Sequence, residues 1–126
     1  MNRTAWILGS LSAFVCVAAG AFGAHALESV VDPDLLVVYE TGVRYQMFHA
    51  LALLAIGLGA TVRPEGRWSI PIWLFACGTV LFSGSLYLMA LTGARWLGAV
   101  TPIGGLCFLA GWIATGFIGA RRKTSS

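Results

Sequence analysis

Charge is scarce in this chain. Asp, Glu, Lys and Arg make up only 10% of its 126 residues, against about 25% in soluble domains. Hydrophobic residues reach 58% and the mean hydropathy is +0.82. These values exclude an ordinary water-soluble fold. The few charges also cluster, because none falls in 4–27, 45–62, 68–94 or 96–120. Each window reaches the ~18 residues needed to cross a bilayer as a helix. Four such windows and little else predict one domain with four spans.

Other absences narrow the function. Cys16, Cys77 and Cys107 lie inside apolar windows, their number is odd, and no CxxC occurs. They read as small buried apolar side chains, not as disulfides or metal ligands. The sequence carries no HExxH, no phosphate loop, no DxD and no Ser-His-Asp set, so no catalytic residue, metal or cofactor is assigned. A net charge of +3 could suit nucleic acid. Here the basic residues sit at the window ends, where they set topology instead of forming a patch. The expected partner is the lipid bilayer, with a membrane-protein partner or a second copy of the chain left open.

What is present can be taken in order. Arg3 precedes the first window, 4–27. A positive start and Ala24-His25-Ala26 would also fit a signal peptide. The span is preferred, because the uncharged stretch exceeds a signal core and three more follow. A lipoprotein is excluded by Val15 before Cys16. Gly9, Ala13, Cys16, Gly20 and Ala24 form a small-residue stripe at helical spacing, suited to close helix packing. Asp32-Pro33 predicts an N-cap with Pro at the first helical position. A short interfacial helix over 35–40 should follow, with a bend at Thr41-Gly42 or, at modest cost, a continuous helix through Gly42. Glu40 and Arg44 have the spacing and order of a helical ion pair.

The second span, 45–62, should stop before Pro64. Gly42, Gln46, His49, Leu53 and Gly57 share one of its faces, and a polar, small-residue face should point into the bundle. The third span runs over about 69–91, with Pro71 in its first turn. Ser83 and Tyr87 share a face there, while Ser85 points nearly the opposite way. Thr101-Pro102 predicts another N-cap, and the fourth span, 102–120, closes on Arg121-Arg122-Lys123.

Four spans place both termini on one side, with Arg3, Arg63, Arg67, Arg121, Arg122 and Lys123. Arg44 and Arg95 fall on the other. The positive-inside rule then puts the termini in the cytoplasm. His25, Gln46, His49, Ser83, Tyr87 and Thr101 collect in the outer half of the bilayer as a candidate polar cluster. Two readings stand. In the favoured one, these groups hydrogen-bond across helices and fix their register. In the other, His25 and His49 line an outer pocket for a proton, a small molecule or a haem. A haem pair is disfavoured because His49 looks deeper than His25. A metal would want more ligands than lie at that depth. No internal repeat of the transporter kind aligns, and a single four-span chain is small for a pathway, so transport would require oligomers.

Four motifs also carry a family resemblance. They are Gly20-Ala-Phe-Gly-Ala-His25, Thr41-Gly-Val-Arg-Tyr-Gln-Met-Phe-His49, Phe82-Ser-Gly-Ser-Leu-Tyr87 and Thr101-Pro-Ile-Gly-Gly105. In this order they resemble the YgdD/YwdK family of small membrane proteins, to which animal transmembrane protein 256 is related. The resemblance implies a four-span membrane protein and offers no catalytic residues to transfer. It also implies that His25, Tyr45, Gln46, His49, Ser83, Ser85, Tyr87 and Pro102 belong to the family pattern. The expectation is an all-α, four-helix transmembrane bundle with a short outer interfacial segment before the second span. Its site is in the bacterial plasma membrane, and its role is non-enzymatic, as an accessory or scaffold subunit.

Overall fold

A computed structural model describes residues 1–122. Lys123, expected in the closing basic stop, lies outside the described residues. Four helices follow one another: α1 (Arg3–Phe22), α2 (Pro33–Val62), α3 (Ser69–Thr92) and α4 (Thr101–Ala120). All four are long and apolar enough to cross a membrane. Among the described residues there is no strand. Short connections make neighbouring helices antiparallel, so both ends of the described chain lie with the Arg63–Arg67 turn. We call this the terminal end. The opposite, acidic end holds Glu28, Asp32, Asp34 and Glu40.

Local chemistry sets the helix limits. The Asn2 side chain accepts a hydrogen bond from the Ala5 N–H (3.0 Å) and caps α1. α1 runs on into a π-helical turn, Gly23–Leu27. The wider turn breaks the 3.6-residue register. Gly23 and Leu27 stay buried, while Ala24 and His25 turn outward. The small-residue stripe therefore packs through Gly9 and Cys16, which are buried, but does not extend to Ala24. At α2, Pro33 holds the expected first position, although Asp32 makes no side-chain cap.

The expected bend at Thr41-Gly42 is absent, and α2 is one unbroken helix of 30 residues. Gly42 serves packing instead. A Cβ there would stand 2.9 Å from Cε1 of Tyr87. The interfacial segment thus becomes the first two turns of the same helix. α3 ends at Gly93, whose φ of 73° is the left-handed cap conformation that glycine adopts freely. A 3₁₀ turn, Arg95–Ala99, then feeds directly into α4. The cap position of α4 falls on Val100, one residue before the expected Thr101.

α2 and α3 form the centre, with α1 resting on α2 and α4 on α3. In the most apolar stretch of α2 and of α3, 39% of residues are buried, against 17% in α1 and α4. The flanking helices turn large side chains outward, such as Phe14 (72% exposed) and Phe117 (75%). Such faces suit lipid and would be costly in water.

Two cores stack along the bundle. The terminal-end core joins Ile56, Trp68, Ile72, Phe75 and Phe108. The acidic-end core joins Leu27, Leu35, Tyr39, Leu86 and Met89.

Candidate functional site

The interior polar side chains sort by the helices they join. Gln46 is 5% exposed and ties three helices together. Its Nε2 donates to the Ser12 carbonyl and hydroxyl on α1, both at 3.2 Å. Its Oε1 accepts from the Tyr87 hydroxyl on α3 at 2.6 Å. A carbonyl can only accept, so Ser12 O fixes which way the amide points. One turn away, Ser83 Oγ donates to the Gly42 carbonyl (2.7 Å). This reaches a helix backbone across the α2–α3 seam, where the absent Gly42 side chain lets α3 approach. Cys16 donates to the Val43 carbonyl (3.0 Å) and Tyr39 to the Ala19 carbonyl (2.5 Å), closing the α1–α2 seam.

His49 belongs to a different set. It is 4% exposed and its ring stacks on Phe108, with centroids 3.6 Å apart and planes 9° apart. Phe75 meets it edge-on at 5.2 Å. Nδ1 lies 2.7 Å from the Tyr45 carbonyl, one turn back on its own helix. Nε2 accepts from the Trp112 indole N–H at 3.0 Å. The carbonyl only accepts and the indole only donates, so Nδ1 must carry the proton and Nε2 must be bare. The neutral imidazole is thereby fixed as one tautomer with both nitrogens occupied. Haem or metal ligation through Nε2 would have to break the Trp112 bond.

Depth also changes. The sequence suggests that His49 begins a span near the interface. With α2 starting at Pro33, His49 lies about 24 Å along the helix at 1.5 Å per residue. A ~30 Å hydrocarbon core measured back from Val62 would reach about residue 43. His49 is then about 9 Å inside the hydrocarbon, in its acidic-end third, where an unpaired polar group is already costly.

The remaining candidates separate from these groups. Thr101 pairs with Ser85 across the α3–α4 seam (2.6 Å) and does not join Gln46. Ser85 also donates to the Phe82 carbonyl (2.8 Å). Thr101 Oγ1 likewise lies 3.4 Å from the Leu97 carbonyl, so either hydroxyl can be the donor in the pair. His25 is exposed on the π turn. Among the described residues it makes no hydrogen bond or ring contact with any of the others. The expected cluster is thus four separate pairings, Gln46–Tyr87, Ser83–Gly42, His49–Trp112 and Thr101–Ser85, without His25. Glu40 and Arg44 are both exposed and form no ion pair. The ion pair found among the described residues is Arg95–Asp34 (2.8 Å), which ties the two acidic-end connections together. Among these residues no three His, Cys, Asp or Glu gather as metal ligands would.

Sequence reasoning missed Ser12, Cys16, Tyr39 and Trp112. Trp112 did carry a signal. Tryptophan favours the interfacial belts, yet this one sits mid-window, where its N–H needs a partner. Ser12 and Cys16 lie one helical turn apart, but nothing in the sequence says which helix they face.

Comparison with known proteins agrees with this architecture. A family described as protein of unknown function (DUF423) matches residues 19–105. A UPF0382 membrane protein of Staphylococcus haemolyticus is 49% identical over 108 residues, covering 85% of this chain and 87% of the relative. The UPF0382 membrane protein YwdK of Bacillus subtilis is 44% identical over 108 residues, 85% of this chain and 88% of the relative. The UPF0382 inner membrane protein YgdD of Escherichia coli is 42% identical over 130 residues, 97% of this chain and 95% of the relative. No solved structure matches the chain. With four membrane-length helices and relatives of this identity along most of its length, the chain belongs to the DUF423, or UPF0382, family of membrane proteins of unknown function.

Proposed function

We propose that this chain is a non-enzymatic, multi-pass protein of the bacterial inner membrane that acts as an accessory or scaffold subunit, with both termini cytoplasmic. One observation carries the non-enzymatic reading. Gln46, His49, Ser83, Ser85, Tyr87 and Thr101 are each bonded to a neighbouring helix or to its backbone. Groups whose donors are committed to neighbouring helices register those helices, and both ring nitrogens of His49 are occupied. The reading in which His25 and His49 handle protons or a cofactor needs a free ring nitrogen on His49. It also needs the two rings together.

The accessory role draws on the flanking helices. α1 and α4 are mostly unburied, so a membrane partner can pack on them without disturbing the α2–α3 centre. The orientation draws on Arg3, Arg63, Arg67, Arg121 and Arg122 among the described residues of the terminal end, against Arg44 and Arg95 at the other. The inner membrane is the one named for the Escherichia coli relative.

Copurification from native membrane should return a stable membrane-protein partner, and its absence would count against the accessory role. Reporter fusions after Lys123 and within Ser29–Asp34 should report opposite sides of the membrane. Replacing His49 by Phe should leave a folded protein with every phenotype intact. A folded variant with a lost phenotype would restore the proton-handling or cofactor reading.

A further inference from the structure

A cleft of about 590 Å³ opens at the terminal end, between the Arg63–Arg67 turn and the last turn of α4. Arg63, Arg67, Arg121 and Arg122 all line it. Two come from the α2–α3 turn and two from the far end of the sequence, so tertiary packing alone brings them together. Glu65 is the one carboxylate on the lining, and among the described residues none of the four arginines is paired with an acid. Topology explains why basic residues lie at this end. It does not require four of them to converge on one concavity.

The rest of the lining is apolar. Ile70 of α3 and Ala114, Phe117 and Ile118 of α4 form the wall. Phe117 continues onto the open face of α4, where it is 75% exposed. The cleft therefore has a cationic mouth and an oily wall that runs out toward the membrane. That combination matches a phospholipid, whose phosphate suits guanidinium forks and whose acyl chain suits the wall. Basic pockets between helices at a membrane surface bind anionic headgroups by this chemistry.

We propose that this cleft binds the phosphate of an anionic phospholipid on Arg63, Arg67, Arg121 and Arg122, with an acyl chain along α4. The site is separate from the interior pairings and does not depend on which side of the membrane the terminal end faces.

The test uses the purified full chain in neutral detergent, where a change of topology cannot interfere. Native mass spectrometry would follow titration with phosphatidylglycerol or phosphatidylcholine. Phosphatidylglycerol should bind preferentially. The preference should fall about fivefold for each arginine removed in the Arg63→Gln/Arg67→Gln and Arg121→Gln/Arg122→Gln pairs. An Arg44→Gln/Arg95→Gln control, with the same charge loss at the other end, should keep it. Should a cleft pair lose helix content, single Arg67→Gln and Arg122→Gln substitutions on exposed side chains carry the same test. Equal loss in the control, or no loss in the cleft variants, would overturn the site. Displacement of the lipid by inorganic phosphate at comparable concentration would overturn the lipid assignment in favour of a soluble phosphate. Resistance to a large phosphate excess would support it.

Discussion

The two halves of the bundle share close glycine packing and differ in how many hydrogen bonds cross their seams. The acidic-end half is tied by hydrogen bonds: Gln46 to Ser12 and Tyr87, Ser83 to Gly42, and Cys16 and Tyr39 to carbonyls across the α1–α2 seam. Glycines facing aromatic rings occur in both halves: Gly23 against Tyr39 and Gly42 against Tyr87 at the acidic end, and Gly78 and Gly111 toward the terminal end. Among the described residues, few interhelical side-chain hydrogen bonds accompany the terminal-end glycines. A Cβ on Gly78 would stand 2.5 Å from Cδ1 of Phe108, and one on Gly111 would stand 2.6 Å from Cε1 of Phe75. His49 sits at the junction and uses both devices, stacking on Phe108 while bonded to Trp112.

The contrast follows from lipid as solvent. Apolar burial between helices gives little net drive in hydrocarbon, so association depends on close packing and on interhelical hydrogen bonds. The bonds average only about 0.6 kcal/mol each. A steric clash at a glycine seam costs about 1–3 kcal/mol or more. Packing should therefore dominate stability, and the polar bonds should mainly choose the register.

The sharpest test compares glycines. A Cβ on Gly104 would fall on the backbone N and Cα of Phe82, which no side-chain rotation can relieve. Gly104→Ala should lose about 3 kcal/mol or more in unfolding free energy measured in detergent. Gly116→Ala has open space around it and should stay within about 0.5 kcal/mol of the parent. Similar losses in the two variants would sink the claim that close packing at specific seams dominates.

His49 separates the two devices at one residue. His49→Ala removes the ring stacked on Phe108 and should cost about 3 kcal/mol, in the range for deleting a buried ring. His49→Phe keeps a ring and gives up the bond from Trp112 and the Nδ1–H bond to the Tyr45 carbonyl, so it should cost about 1–2 kcal/mol, chiefly for the indole N–H left without a partner. If the two variants lose equally, the hydrogen bond outweighs the stack and the comparison reverses.

Smaller effects are expected among the acidic-end bonds. Gln46→Leu should cost about 1 kcal/mol. A cycle with Tyr87→Phe should give a coupling of about 0.6 kcal/mol and no more than about 1.7. A larger coupling would mean that the polar network, not packing, holds the α2–α3 seam. At the surface, Asp34→Asn should leave the unfolding midpoint unchanged, because its pair with Arg95 is exposed on both sides.

Much of the fold is legible in the sequence because the bilayer simplifies the problem. Charge-free windows of sufficient length have few alternatives to spanning helices, and Pro64 and Gly93 punctuate them. The shared face of Gln46 and His49 is legible too, since helical spacing alone places them together. The bend at Gly42 was not resolvable by that means. A glycine in a helix reads the same whether it permits a bend or a close approach, and only the Tyr87 ring against it decides. His25 eluded the spacing because a π turn rotates everything after Phe22. The partners of Thr101 and His49 lie on α3 and α4, in no fixed register relation to them along the chain.

Hydropathy and charge along the chain fix how many spanning helices there are, where each stops, and which end of the bundle carries the basic residues. Those properties follow from transfer of apolar and charged groups between water and lipid, which is read residue by residue. Which polar groups meet is set by helix packing alone. Gln46 joins Ser12 and Tyr87, His49 joins Trp112 and Phe108, and four arginines from opposite ends of the sequence share one cleft. Such meetings depend on the rotation and offset of helices about one another. Shape complementarity at glycine seams sets both, and no one-dimensional pattern encodes them.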